Sequence, residues 1–189
     1  MRKLTYFVAC STDGFIARED GALDDFTMEG DHFQDLLNEF PETIPGHLRQ
    51  QLAVSHDLRH FDTVVMGRRT YEVGVNIGVT SPYPHLRQIV VSRSMSASPD
   101  PDVELIRENP VEWIRQQKRL DGKDIWLCGG GALAASLADE IDNYILKMSP
   151  FLMGTGIPLI AKSVQRQLAL QRRQNYDNGF MLLHYTAIR

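Results

Sequence analysis

The chain alternates short apolar runs with segments of helical spacing. Arg2–Cys10 is rich in β-branched and aromatic residues and is closed by the turn formers Ser11-Thr12-Asp13-Gly14, which predicts a buried strand and a loop reaching about Gly21. Phe33, Leu36, Leu37 and Phe40 recur at helical spacing, so a helix is predicted over Asp31–Phe40, ended by Pro41. Leu48, Leu52 and Leu58, with charged residues between them, predict a second helix over His47–Leu58. Phe61–Met66 reads as a strand feeding a helical turn from Arg68, and residues 74–86, with two Gly and two Pro, as a loop before the strand Arg87–Ser92. Val103–Arg107 reads as a further strand. Asn109-Pro110 then supplies an N-cap and a first-turn proline for a helix to about Leu120, stopped by Asp121-Gly122. The strand Asp124–Cys128 passes through three glycines into the helix formers Ala132–Ala138, and Asp142–Ser149 is the next strand. After the Gly/Pro-bearing segment 150–158, strands at about Gln167–Gln174 and Phe180–Ile188 flank the turn signal Asp177-Asn178-Gly179.

Strands alternating with helices as far as residue 150, then a hairpin, predict a three-layer α/β/α fold. Its central sheet is mostly parallel and covered on both faces, with an antiparallel C-terminal hairpin. No repeat or linker interrupts the 189 residues, so one domain is expected over 1–189.

Composition narrows the function classes. Hydrophobic residues make up 43% and charged ones 23%, the balance of a soluble globular chain. Lys plus Arg total 20 against 24 Asp plus Glu, a net charge of −4 that leaves no basic surplus for a nucleic acid. The longest stretches free of charge and His, Ile125–Ala138 and Met148–Ala161, are 14 residues each and carry Gly or Pro. Both fall short of the ~20 residues that cross a bilayer. The N-terminus runs from its basic start straight into Ser11-Thr12-Asp13-Gly14, without the apolar region of a signal peptide, and the two cysteines, Cys10 and Cys128, lie in apolar strands. A reducing cytoplasm is the expected location.

Ligands of open α/β sheets bind at the carboxyl ends of strands, where helix N-termini point free N–H groups. Three strand-to-helix junctions are therefore candidates. Met66-Gly67-Arg68-Arg69-Thr70-Tyr71-Glu72 combines a glycine, two guanidinium groups and a hydroxyl, suited to an anion with several oxygens or to an exposed basic turn capped by Thr70. Val91-Ser92-Arg93-Ser94 offers hydroxyls and a cation for a phosphate, or a solvated turn. Gly129-Gly130-Gly131-Ala132-Leu133-Ala134 fits the dinucleotide pattern G-x-G-x-x-A, yet only 55 residues follow it and they end in a hairpin, which disfavours a Rossmann domain. His56 and His60 sit at i, i+4 with no Cys or third His nearby, so no metal is assigned. Neither a G-x-S-x-G elbow nor a P-loop occurs.

Taken in order, these segments resemble the dihydrofolate reductase-like superfamily, in its branch related to the C-terminal reductase domain of the bacterial bifunctional deaminase-reductases of riboflavin biosynthesis. The resemblance covers most of the chain. It is carried by Ser11–Ala17, Asp62–Glu72, Val90–Ser94, Ile125–Gly131 and Pro150–Leu159. It implies an NADPH-dependent reductase of a small heterocyclic or carbonyl substrate; the alternative is an NADPH-binding sensor without chemistry of its own. It further implies that Gly67, Arg68, Arg69, Thr70, Ser92 and Arg93 bind phosphates, including the 2′-phosphate that marks NADPH. Gly129, Gly130, Gly131 and Ala132 would meet the pyrophosphate, with a cis peptide between Gly129 and Gly130. The Ala9 backbone and the Ile16 side chain would flank the nicotinamide. On the substrate side the candidates are Asp25, Phe26 and Asp31. The stretch Gly21–Phe26 lacks the Pro-Trp of dihydrofolate reductases, which argues against folate, and residues 38–60 are longer than a minimal family member needs. The resemblance also implies a homodimer, the commonest assembly.

Overall fold

A computed structural model of the chain describes residues 1–26 and 29–188. Eight strands form one sheet. Leu4–Ser11 (β1) lies at its centre, between Asp124–Gly129 (β6) and Asn143–Ser149 (β7), and is parallel to both. Beyond β6 follow Phe61–Gly67 (β3), Arg87–Val91 (β4) and Val103–Ile106 (β5), all parallel. Beyond β7 comes Met181–Ala187 (β10), antiparallel to its neighbours, and at the edge Leu168–Asn175 (β9). The expected mostly parallel sheet with a C-terminal hairpin is therefore what forms.

Period-two alternation divides the strand residues between two cores. Leu4, Tyr6, Val8 and Cys10 of β1 join Val65, Ile89, Ile125 and Leu127 on one face. There they pack against Ile114 of Pro110–Lys118 (α4) and Leu133 and Ala134 of Gly131–Ser136 (α5). Phe7, Val64, Met66, Val90 and Trp126 point the other way. They meet Leu36 of Asp31–Glu39 (α1) and Tyr71 of Arg68–Val75 (α3). Three layers result, and the strand ends that feed α3 and α5 lie side by side.

The expected helix over His47–Leu58 is not formed. Only Gly46–Arg49 (α2) is helical, after a 3-10 turn at Pro41–Thr43. Arg49 is buried and donates to the carbonyls of Pro41 and Ser55, which turns the chain back on itself, and Ala53 takes a positive φ of 50°. His56 and His60 consequently share no helix, and both are exposed. The segment has a small core of its own in Leu37, Ile44 and Val54. It is tied to the sheet by the fully buried Glu42, whose carboxylate accepts the N–H groups of His60 and Phe61. Asn109 does precede α4, but in a left-handed conformation and without a side-chain cap.

A second sheet has no counterpart among the sequence expectations. Phe15–Ala17 (β2) pairs antiparallel with Ile157–Pro158 (β8). Asp13 fastens this pair: its carboxylate accepts the Ser11 hydroxyl at 2.5 Å and the N–H groups of Met153 and Gly154 at 3.0 and 2.8 Å. Those three donors hold the Asp13 carboxyl down at about 2. The Ser-Thr-Asp-Gly stretch thus serves the structure, binding the loop after β1 to the loop after β7.

Candidate active site

The carboxyl ends of β1, β3, β4 and β6 open into one cleft of about 2670 Å³. All twelve residues assigned to a cofactor on sequence grounds line it: Ala9, Ile16, Gly67, Arg68, Arg69, Thr70, Ser92, Arg93, Gly129, Gly130, Gly131 and Ala132. Their surroundings separate their roles.

Helix α3 starts directly at the end of β3. Gly67, its N-cap, carries no side chain to cap it, so the first N–H groups of the helix are without side-chain partners at the cleft. Thr70 does not cap the turn. Its hydroxyl instead faces the glycine run, 3.5 Å from where a Cβ on Gly130 would sit. Arg68 is paired with Glu72 at 3.5 Å, one turn along α3. Arg69 and Arg93 are exposed, and neither makes an ion pair or side-chain hydrogen bond among the described residues. The Ser92 hydroxyl accepts the N–H groups of Ser94 and Met95 at 3.3 and 3.1 Å, which shapes the turn that carries Arg93 outward.

The three glycines differ. Gly129 has φ 137°, a conformation that side chains resist, and the Gly129–Gly130 peptide is cis. Gly130 is extended (φ −95°, ψ −173°) and borders the open cleft near Thr70 and Ile16. Gly131 is buried against β8: a Cβ there would lie 2.1 Å from the Pro158 carbonyl oxygen. Helix α5 is six residues long, so its contribution is the room and the N–H groups of its glycine turn rather than a long helix dipole.

On the substrate side only Phe26 reaches the cleft, edge-on to Phe151 with centroids 5.3 Å apart. Asp25 is turned away. Both its oxygens accept from Arg18 at 2.6 Å, a bidentate pair that lowers its carboxyl and draws it into a neighbouring depression. Asp31 stands exposed at the start of α1, with its carboxylate on the His32 N–H. The orientation of α1 follows from His32, which is buried, stacked on Phe180 at 4.1 Å and hydrogen-bonded to Asn178. Neither acid is brought to the cleft.

The wall on the α1/α3 side holds groups that sequence reasoning passed over: Phe7, Thr43, Tyr83, Trp126, Cys128 and Lys147. Trp126 is fixed by donating its indole N–H to the Phe7 carbonyl at 2.9 Å and meets Tyr83 edge-on at 4.9 Å. Lys147 is half-buried in β7, register partner of Ala9 on β1 and Leu182 on β10. Its ammonium lies 4.4 Å from the centre of the Phe7 ring, and no carboxylate among the described residues pairs with it. Burial pulls its pKa down to about 8. A cation midway along a strand flanked on both sides was the available signal. Both cysteines are free thiols.

The chain belongs to the RibD C-terminal domain family, whose profile matches residues 2–182, and its sheet is the family's dihydrofolate reductase-like α/β fold. Among individual proteins it is similar to the uncharacterized proteins YwjB and YyaP of Bacillus subtilis (strain 168). YwjB is 30% identical over 190 residues, covering 97% of each chain; YyaP is 24% identical over 199 residues, covering 97% of this chain and 94% of the other. In fold it is similar to a Shewanella sp. PV-4 protein named for riboflavin biosynthesis (TM-score 0.73, 22% identity, 100% of both chains). It is also similar to the diaminohydroxyphosphoribosylaminopyrimidine deaminase/5-amino-6-(5-phosphoribosylamino)uracil reductase of Thermotoga maritima (TM-score 0.65, 17% identity). That match covers 99% of this chain and 57% of the other. Among the described residues no helix is long and apolar enough to cross a membrane.

Proposed function

We propose that the protein is an NADPH-dependent reductase of a small heterocyclic or carbonyl substrate. One observation carries the reading: two guanidinium groups unpaired among the described residues, Arg69 and Arg93, the uncapped start of α3 and the Gly129–Ala132 turn all border a single cleft. That is the donor set a dinucleotide with three phosphates requires. There is room for the group at this turn as well: a Cβ on Gly130 would meet only the Thr70 hydroxyl oxygen at 3.5 Å and the Ile16 δ-carbon at 3.9 Å, so the glycine borders open cleft. Arg93, on its Ser92-shaped turn, takes the 2′-phosphate, and Arg69 with the first N–H groups of α3 takes the neighbouring phosphates. Ile16, held down by the β2–β8 pair, and the Ala9 backbone bracket the nicotinamide, which supplies hydride when the cofactor is bound. The aromatic wall of Phe7, Tyr83 and Trp126 excludes water beside it.

A polar group at the cleft wall, Lys147, favours an enzyme over a sensor. Family membership and the reductases among the proteins of similar fold support the same class. Thermal unfolding with NADPH and NADH at matched concentrations tests the proposal, since a ligand of the native state alone raises stability by RT ln(1 + [L]/Kd). A larger shift with NADPH is expected; equal shifts, or none, would refute it.

A further inference from the structure

Building on that NADPH site, we infer that Lys147 is the proton donor of the reaction and that the pocket beside it takes a planar carbonyl-bearing heterocycle. The placement comes from the sheet. β1 and β7 are parallel with Ala9 opposite Lys147, so both side chains leave the sheet on the face that carries Phe7 and Trp126. If Ala9 flanks the nicotinamide, the next strand sets an ammonium beside the reacting carbon. The surrounding wall is flat and aromatic, built of Phe7, Tyr83 and Trp126, with Phe26 at the rim. Such a slot selects a planar ring. The ammonium lies over the Phe7 ring and, among the described residues, has neither carboxylate nor hydrogen-bond partner, so its protons are free for a substrate oxygen.

The step balances. The hydride taken up by the carbonyl carbon would be supplied by bound NADPH, which would leave as NADP⁺. The π pair of the C=O bond moves to oxygen, which takes a proton from the Lys147 ammonium to become a hydroxyl. Solvent then reprotonates the amine. Burial brings Lys147 to about 8, close to neutral and so suited to giving up a proton.

The groups facing it are the Cys128 thiol from β6 and the Tyr83 hydroxyl near Cys128; the Cys10 thiol of β1 lies nearby but points to the opposite face of the sheet, and β10 contributes the apolar Leu182. Burial pushes both thiols up to about 11 and raises the tyrosine well above its ordinary range. None of them therefore titrates near 8. The carboxylates of the cleft, Glu19, Asp20, Glu72, Glu108 and Glu112, lie outside ion-pair distance of Lys147.

The test uses indole-2,3-dione as the planar carbonyl probe, with NADPH oxidation followed between about pH 6 and 10. Wild type, Lys147→Gln and Lys147→Arg are compared, and NADPH Kd and thermal midpoint are measured for each. In the wild type, acetylation of Lys147 by acetic anhydride is also followed against pH by peptide mass spectrometry. We expect wild-type kcat to fall as pH rises through about 8, and Lys147 acetylation to rise with the same midpoint. Lys147→Gln should lower kcat by about 10²–10⁴-fold and lose that limb, with NADPH Kd unchanged. Lys147→Arg keeps the charge but cannot release its proton, so it should stay as slow. Full activity in Lys147→Arg would reduce Lys147 to an electrostatic anchor and overturn the inference. So would an unchanged Lys147→Gln profile, or a wild type that binds NADPH but leaves the dione unreduced. A wild type that does not bind NADPH would instead refute the proposed function, and the inference with it.

Discussion

Alanine at Gly131 and alanine at Gly130 add the same methyl group one residue apart, and the structure assigns them opposite consequences. At Gly131 the new Cβ would stand 2.1 Å from the Pro158 carbonyl oxygen, 3.3 Å from its carbon and 3.4 Å from the Leu159 carbonyl oxygen. All three are backbone atoms at or beside β8, which cannot rotate away as a side chain would. Pro158 must retreat by about 1 Å, and overpacking of this kind costs roughly 1–3 kcal/mol. For a domain of this size that is a fall of about 2–12 °C in Tm. At Gly130 the backbone is already extended, and the nearest atoms are the Thr70 hydroxyl at 3.5 Å and the Ile16 δ-carbon at 3.9 Å. Stability should change by no more than about 0.5 kcal/mol. The methyl group does fill cleft space, so NADPH affinity should drop about five- to 150-fold for a comparable 1–3 kcal/mol of steric cost. Urea and thermal unfolding of both variants, with NADPH titrations followed by tryptophan fluorescence, measure the two effects separately. A Gly131→Ala variant as stable as wild type would refute the packing argument. A Gly130→Ala variant that unfolds as early as Gly131→Ala, or binds NADPH unchanged, would refute the assignment of that turn to the ligand.

Arg93→Ala removes a guanidinium without an intramolecular ion pair, so Tm should hold while NADPH affinity falls by roughly one to two powers of ten, the worth of a charge-assisted hydrogen bond. NADH affinity should barely move; titration with both cofactors checks this, and equal losses would reassign Arg93. Asp13→Asn should loosen the joint between the loops after β1 and β7. Because its folded pKa lies below the ordinary value, the carboxylate stabilises the fold above about pH 4 and loses that effect as pH falls through about 2. The Asp13→Asn variant should therefore have a lower Tm near neutrality and a shallower decline in Tm on acidification. Lys118→Met leaves Asp142 without the cation that meets it at 2.6 Å and removes a donor to the Glu140 carbonyl at 2.5 Å. A loss of about 3 kcal/mol in urea denaturation is expected.

The layers of the fold were legible along the chain because alternation within a strand and 3.6-residue spacing within a helix are local properties. Leu4, Tyr6, Val8 and Cys10 declare one face of β1 without reference to anything else. The glycine run and the Arg-Arg-Thr turn stood out for a similar reason, since each needs a particular residue type at one place, and both reach the cleft. What depended on distant partners was not. The spacing of Leu48, Leu52 and Leu58 suits a helix, but Arg49 gains more by reaching back to the Pro41 and Ser55 carbonyls. β2 and β8 are too short to show a pattern and exist only because residues some 140 positions apart are clamped by Asp13. Asp25 and Asp31 looked available because a sequence does not show that Arg18 engages the one, or that buried His32 rolls the other outward. Lys147 read as an ordinary position in a strand. Only the order of strands, which places β7 between β1 and β10 and turns that side chain over Phe7 toward the cleft, makes it a cation on the cleft wall. A residue's type and local pattern are written in the chain, whereas its neighbours across a sheet are set by pairing between remote segments.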